Sequence, residues 1–408
     1  MRKHGAVTTL VLFACIGILF VSMDVGALRC MAGEDPPVEG ALPVPSQEKV
    51  GLRYACGFTV EHQDTFKKIQ VLSPWRDARV SFTYILVERG KRGPSVPPDS
   101  MVVEIPLQRV ALVSTTQVPF FAMLGLESSI AGIARGRFVN SPPVAERIRQ
   151  GLIQEIGVGD SGMVRNLNME RLFALQPDAV IVYGINDPEY HLQPKLAEAG
   201  FPVIVEASYM EPTPLGRAEW IKFVAAFFNR ESYADRIFED IARRYEFLAE
   251  QTRERVIHRP AVFHGMAHRN VWFMPGGESY AARLYADAGG DYIWKDDSSR
   301  GNMPLSMESV VERARDADYW VDVGPCGSLA ELKGSDERYG LFRAFRQGNV
   351  YNNDAKIGPG GGNDYWETGV ARPDLVLADL VSIFHPSILP SHERIWYRKL
   401  PDQGVMRP

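Results

Sequence analysis

The chain has 408 residues, 45% apolar and 23% charged, with a formal charge of −5. That length accommodates two compact domains, and the composition is that of a globular protein rather than a repetitive or disordered one. The negative balance argues against a nucleic-acid binder, which normally carries a basic stripe, so no nucleic-acid partner is expected, although a basic pocket on one face is not excluded.

Arg2, Lys3 and His4 precede an uncharged run from Gly5 to Met23, and small residues then lead into Gly33-Glu34-Asp35-Pro36. A basic start, an apolar middle and a small-residue exit predict a secretory signal peptide over 1–32 and a place in the periplasm or cell envelope. The alternative is an uncleaved anchor, because the run approaches membrane-spanning length. Leu12-Phe13-Ala14-Cys15 resembles a lipobox but is followed by apolar residues, and Cys30 follows Arg29, so a lipid anchor is left open. Cys56 and Cys326 could pair in an oxidising compartment, but their separation gives no support, and they are read as free and buried.

Segment 33–105 divides into a proline-rich tether, Pro36 to Gln47, and a β-rich extension. Phe58-Thr59-Val60, Lys68 to Val71, Val80 to Val87 and Met101 to Ile105 are short runs between turn residues and predict a small antiparallel sheet. From Arg109 the pattern becomes strand-then-helix. Val110 to Val113, Ser129 to Ile133, Ala179 to Tyr183 and Pro202 to Val205 are strands, with helices at Val118 to Leu124, Met169 to Leu175 and His191 to Ala199. Such alternation predicts a parallel sheet covered by helices, here over 106–215.

Residues 216–256 interrupt the alternation with helical sequence in two pieces that meet near Asn229. In the second, Tyr233, Ile237, Ile241, Tyr245 and Leu248 form one apolar stripe. A helix from Glu231 to Arg255 would span roughly 37 Å and serve as a strut. The α/β pattern then resumes over 257–400. The halves echo one another: Asn168-Met169-Glu170 before a helix and strand is matched by Ser306-Met307-Glu308 before a helix and strand, and both Asn168 and Ser306 suit an N-cap.

Two echoed halves around a strut, with the runs Val113-Ser114-Thr115-Thr116, Tyr209 to Trp220 and Gly361-Gly362-Asn363-Asp364-Tyr365-Trp366-Glu367, resemble the helical-backbone (class III) periplasmic binding proteins that serve ABC importers for vitamin B12, ferric siderophores and haem. The likeness covers roughly Val103 to Leu400. It implies two Rossmann-like α/β lobes held nearly rigid by the helix, no enzymatic activity, and no cofactor beyond a captured iron chelate, haem or cobalamin. It further implies a monomer that delivers this metal-containing ligand to a dimeric ABC permease. Glu170 and Glu308 fall where the vitamin B12 proteins carry permease-docking glutamates, one per lobe; capping of a helix dipole is the other reading.

Open α/β sheets bind ligands beyond the carboxyl ends of their strands, which makes the loops after the predicted strands the candidate lining. Ser114, Thr115 and Thr116 follow the first strand, and Tyr183 ends another. Tyr183, Trp272, Tyr365 and Trp366 are candidates to stack on a planar ligand, with a core-edge role as the alternative. Arg135 and Arg269, with Arg137, Arg300 and Arg372, suit bidentate contacts to an anionic complex. His264 and His268 stand four apart across a glycine, which fixes no metal geometry, although a single axial contact from His268 remains open. Gly358 to Gly362 has the composition of a phosphate cradle without its lysine, and reads as a flexible loop. A chelatase-like enzyme or a sensor ectodomain is the competing reading. The first needs cysteine cluster ligands or an acid/base constellation, and none is legible.

Overall fold

Four β-rich runs gather before the first lobe because turn residues punctuate them. In the computed structural model, which describes residues 48–49, 51–97, 99–159, 164–185 and 191–403, they form a five-stranded sheet. Glu48–Lys49, Phe58–His62, Lys67–Val71 and Phe82–Glu88 pair antiparallel in sequence order. Ser100–Ile105 then pairs parallel to Phe82–Glu88. The expectation of a wholly antiparallel sheet therefore fails at its last strand, because the stretch after Glu88 carries the chain back to the starting end. The expected signal peptide over 1–32 and the expected tether up to Gln47 lie outside the described residues.

This sheet shares a core with the linker. The Phe58 ring lies 4.7 Å from Trp220 and 5.4 Å from Phe223. Two buried carboxylates of the linker region gather the backbone amides that lead into it. Glu219 accepts from the amides of Arg53, Tyr54 and Ala55, and Glu211 from those of Cys56 and Gly57 and from the Trp220 indole. Hydrogen bonds to a charged acceptor contribute about 1.5–3 kcal/mol each, which offsets the burial of Glu219 beside Lys222. The turn between Val71 and Phe82 reaches both halves of the molecule. The Pro74 carbonyl presses on Gly184, where a side chain has no room, and the Arg76 guanidinium occupies the space beside Gly301.

The first lobe has a parallel sheet in the order Val203–Glu206, Ala179–Tyr183, Val110–Leu112, Ile130–Ile133, Gln154–Glu155. The second repeats it: Asp291–Tyr292, Ala261–His264, Tyr319–Val321 and Val350–Asn352 are parallel, and Arg398–Lys399 closes the edge antiparallel. A small antiparallel sheet of Ala267–His268, Val271–Pro275 and Asn302–Leu305 was not legible in the sequence.

The helices Pro214–Ala226 and Glu231–Arg255 join the lobes. Asn229 breaks between them in a left-handed conformation, φ 54°. The long helix buries Ala234, Phe238, Ile241, Ala242, Tyr245 and Thr252 against Pro214–Ala226 and Pro373–Phe384. Its buried stripe is rotated from the expected one, and Tyr233 lies exposed. The lobes also meet at the glycine-rich loop. A Cβ on Gly360 or Gly362 would stand 1.8 or 1.9 Å from the carbonyl oxygens of Arg137 and Phe138. This loop is a close-packed seam rather than a flexible segment, and its glycines permit backbone to approach backbone.

Cys56 is exposed and disulfide-bonded, whereas Cys326 is free and buried. The two are not a pair, and the expectation of two free, buried thiols fails for Cys56. Among the described residues no helix is long and apolar enough to cross a membrane.

Candidate functional site

Parallel strands release their chain at one edge, and four of the five strands of the first lobe release it toward the second. Val113 to Thr116, then Ala134, Arg135 and Phe138, Tyr183 to Ile185, and Glu206, Ser208 and Tyr209 follow those strand ends and line one cavity of about 460 Å³. Arg217 of the linker helix and Trp366 and Val370 of the second lobe complete its wall. The volume falls within the roughly 300–1,000 Å³ of small-molecule sites.

Its walls are largely apolar: Phe138, Val164, Tyr183, Ile185, Trp366 and Val370. Trp366 is half exposed, and its ring stands edge-on at 4.8 Å to the buried Tyr365. The Ser114 hydroxyl caps the short turn Thr115–Gln117 and lies 2.8 Å from the Thr116 hydroxyl, so this polar corner is fixed before any ligand arrives. Tyr209 donates to the Gly184 carbonyl at 2.6 Å, which ties two lining loops together.

Charge in the cavity is unequal. Arg135, buried and left-handed at φ 66°, directs its guanidinium to the carbonyls of Val158 and Gly159. Arg217 donates to the carbonyls of Glu211 and Tyr209 and lies 3.9 Å over the Tyr280 ring. Burial draws its pKa below the usual arginine value. Among the described residues Glu206 is the one lining carboxylate; burial raises its pKa, against the hydrogen bond from Ser208 and the charge of Arg217. Two cations among the described residues line the cavity with one acid that burial pushes toward its neutral form, a balance that favours negative charge.

A family model described as periplasmic binding protein matches residues 110–357, more than half of the chain. The chain belongs to the periplasmic binding protein family. Its members are solute-binding proteins that partner with ABC permeases. Among curated relatives, an uncharacterized lipoprotein of Methanocaldococcus jannaschii is 28% identical over 307 residues, covering 73% of this chain and 70% of its own. Among solved structures, a periplasmic heme binding protein from Pseudomonas aeruginosa superposes with a TM-score of 0.53 at 18% identity, covering 74% of this chain and 100% of its own. A Fe3+-hydroxamate transport system protein from Saccharomonospora viridis gives 0.52 at 18% identity, with 69% and 94% covered. These likenesses establish the two-lobed fold.

In this binding protein the structure brings six of the expected site residues into one cavity: Ser114, Thr115, Thr116, Arg135, Tyr183 and Trp366. Four others are placed elsewhere. Trp272 belongs to the unforeseen antiparallel sheet and is wholly buried, its indole donating to the His264 carbonyl at 2.8 Å. Tyr365 is buried behind Trp366. His268 and Arg269 are exposed on a tight hairpin whose turn residues, Arg269 and Asn270, are left-handed. The other arginines are also engaged outside the cavity: Arg137 on the Phe138 ring, Arg300 with Glu278 and Arg372 with Asp374. Sequence reasoning missed Phe138, Glu206 and Arg217. Arg217 lay within a run that carried the resemblance, but its face on the helix is set by packing.

Glu170 and Glu308 are both exposed in the first turns of their helices. The caps are as expected, with Asn168 accepting from the Arg171 amide and Ser306 from that of Ser309. Glu308 additionally accepts from Arg338 at 2.7 Å.

Proposed function

We propose that this binding protein captures an anionic iron chelate or haem in the cleft and hands it to an ABC permease at the membrane. The observation that carries this reading is the cavity at the strand ends of the first lobe, where Tyr183 and Trp366 offer aromatic faces beside the guanidinium groups of Arg135 and Arg217. Aromatic faces suit a flat or catecholate ligand, and guanidinium suits its peripheral carboxylates or net charge. The haem and ferric-hydroxamate proteins of the same fold support the ligand class. Glu170 and Glu308 are the proposed docking carboxylates, one on each lobe, for a two-fold permease.

The test is quenching of tryptophan fluorescence by haemin, a ferric hydroxamate, a ferric catecholate and cobalamin, each titrated into purified protein. One iron complex should bind with micromolar or tighter affinity and without conversion. Trp366→Ala should weaken it about tenfold or more, the equivalent of roughly 1.4 kcal/mol. Cobalamin as the sole ligand, or turnover of the bound complex, would overturn the reading.

A further inference from the structure

The strands Lys67–Val71 and Phe82–Glu88 pair antiparallel, with Val71 directly opposite Phe82. A two-residue turn is enough to join strands so placed. The chain instead makes the connection with the ten residues from Leu72 to Ser81. A loop of that length with adjacent ends is an Ω-loop, a class that is frequently functional. It also lies outside residues 110–357, the part that matches the family.

The loop is fastened at three points. Pro74 is buried, and its carbonyl lies so close to Gly184 that a Cβ there has no room. Trp75 meets the His191 ring edge-on at 5.2 Å. The Arg76 guanidinium fills the space beside Gly301 of the second lobe. The tip is itself a closed turn, because the Ala78 amide donates to the Trp75 carbonyl at 3.2 Å and Asp77 is left-handed at φ 58°.

Gly184 is also part of the cavity wall. Its carbonyl accepts from the hydroxyl of Tyr209, which lines the cavity too. Burial and then the charge of Glu206 raise the Tyr209 pKa to about 12, and the Arg76 guanidinium is near enough to oppose them. The loop thus runs from the cavity wall of the first lobe across to the second. A loop that only closed a hairpin needs neither contact. At Gly184 backbone meets backbone, so no side-chain rotation can move this contact aside.

We propose that Leu72 to Ser81 form a specificity-determining wall of the cleft. They bound its mouth on the Gly184 side, admitting compact ligands and turning away those that overhang the cavity. Steric rejection of the wrong ligand is one of the two routes to specificity. The class favoured is the compact iron chelate over the larger corrinoid. This inference rests on the cavity being the ligand site, and not on which chelate fills it.

The experiment measures the width of the mouth with no chelate present. Thr115→Cys places a thiol in the cavity, and the parent protein, whose Cys326 is buried, gives the background. Rates of reaction with N-ethylmaleimide and with a polyethylene-glycol maleimide are each divided by those of glutathione. With the natural loop the large reagent should be slowed far more than the small one. Replacing Leu72 to Ser81 by Asn-Gly, which keeps Val71 opposite Phe82, should reduce that size ratio severalfold. Trp75→Ser with Arg76→Ser keeps the loop and removes two of its anchors. It should lower the ratio in the same direction, and serves if the shortened protein does not fold by circular dichroism. An unchanged ratio in the folded variants, or no size discrimination with the natural loop, overturns the wall. If the ratio falls as expected while no chelate binds the natural protein, the wall stands and the chelate reading fails.

Discussion

Glu367 connects the lobes in a way that pH should expose. Its carboxylate belongs to the second lobe and is almost wholly buried. It accepts from the backbone amides of Asn140 at 2.9 Å and Ser141 at 2.8 Å, at the start of the first-lobe helix Pro142–Arg149. Burial raises its pKa to about 7 from 4.5, more than those hydrogen bonds lower it. A carboxyl group with a raised folded pKa contributes stability that is present in full below the unfolded value and lost as pH rises through the folded one. With 4.5 unfolded and about 7 folded, raising the pH from 5 to 8 should remove about 2.5 kcal/mol. That is a sizeable part of a typical 5–15 kcal/mol. Glu367→Gln removes the titration, at the expense of setting an amide NH2 against one backbone amide. Urea unfolding at pH 5 and pH 8 measures both. The variant should be less stable at pH 5 and should lose most of the wild-type difference between the two pH values. A variant that keeps the full difference would show that Glu367 does not carry it, and the reasoning from burial would fail.

The seam and the docking surface give two further expectations. Gly362→Ala places a methyl group 1.9 Å from the Phe138 carbonyl oxygen, and urea unfolding should register a loss of about 1–3 kcal/mol. Glu170→Arg with Glu308→Arg should abolish uptake in cells while ligand affinity and melting temperature stay as in the wild type, because exposed charges govern recognition and association rate. Normal uptake by the double variant would reduce both residues to helix starts.

Much of the architecture was legible because its signals are local. Strand-then-helix alternation gave the parallel sheets, Asn229 marked the break between the linker helices, and Asn168 and Ser306 marked helix starts. What escaped depends on partners distant in sequence. Nothing near Trp272 indicates that its strand pairs with Asn302–Leu305, so Trp272 was a candidate to stack on a ligand or sit at the core edge when it is a wholly buried core residue. The same limit hid the parallel pairing of Ser100–Ile105, whose partner is set by the path of the connection.

The cavity divides along the same line. Ser114 to Thr116 and Tyr183 were readable because a strand end is a local feature, and on a parallel sheet the strand ends face the ligand. Arg217 and Glu206 acquire their role only when the linker helix is laid across the sheet, where one guanidinium over Tyr280 lines the same cavity as a carboxylate at the end of Val203–Glu206. Arginines in loops are individually uninformative, since the backbone decides whether they face the cleft or water. Arg135 turns inward through a left-handed residue, whereas Arg269, also left-handed, sits at the tip of a hairpin and turns out. The same backbone state thus produces a cavity wall in one lobe and an exposed side chain in the other, so the site had to be read from the sheet that carries each loop and could not be read from the residue types.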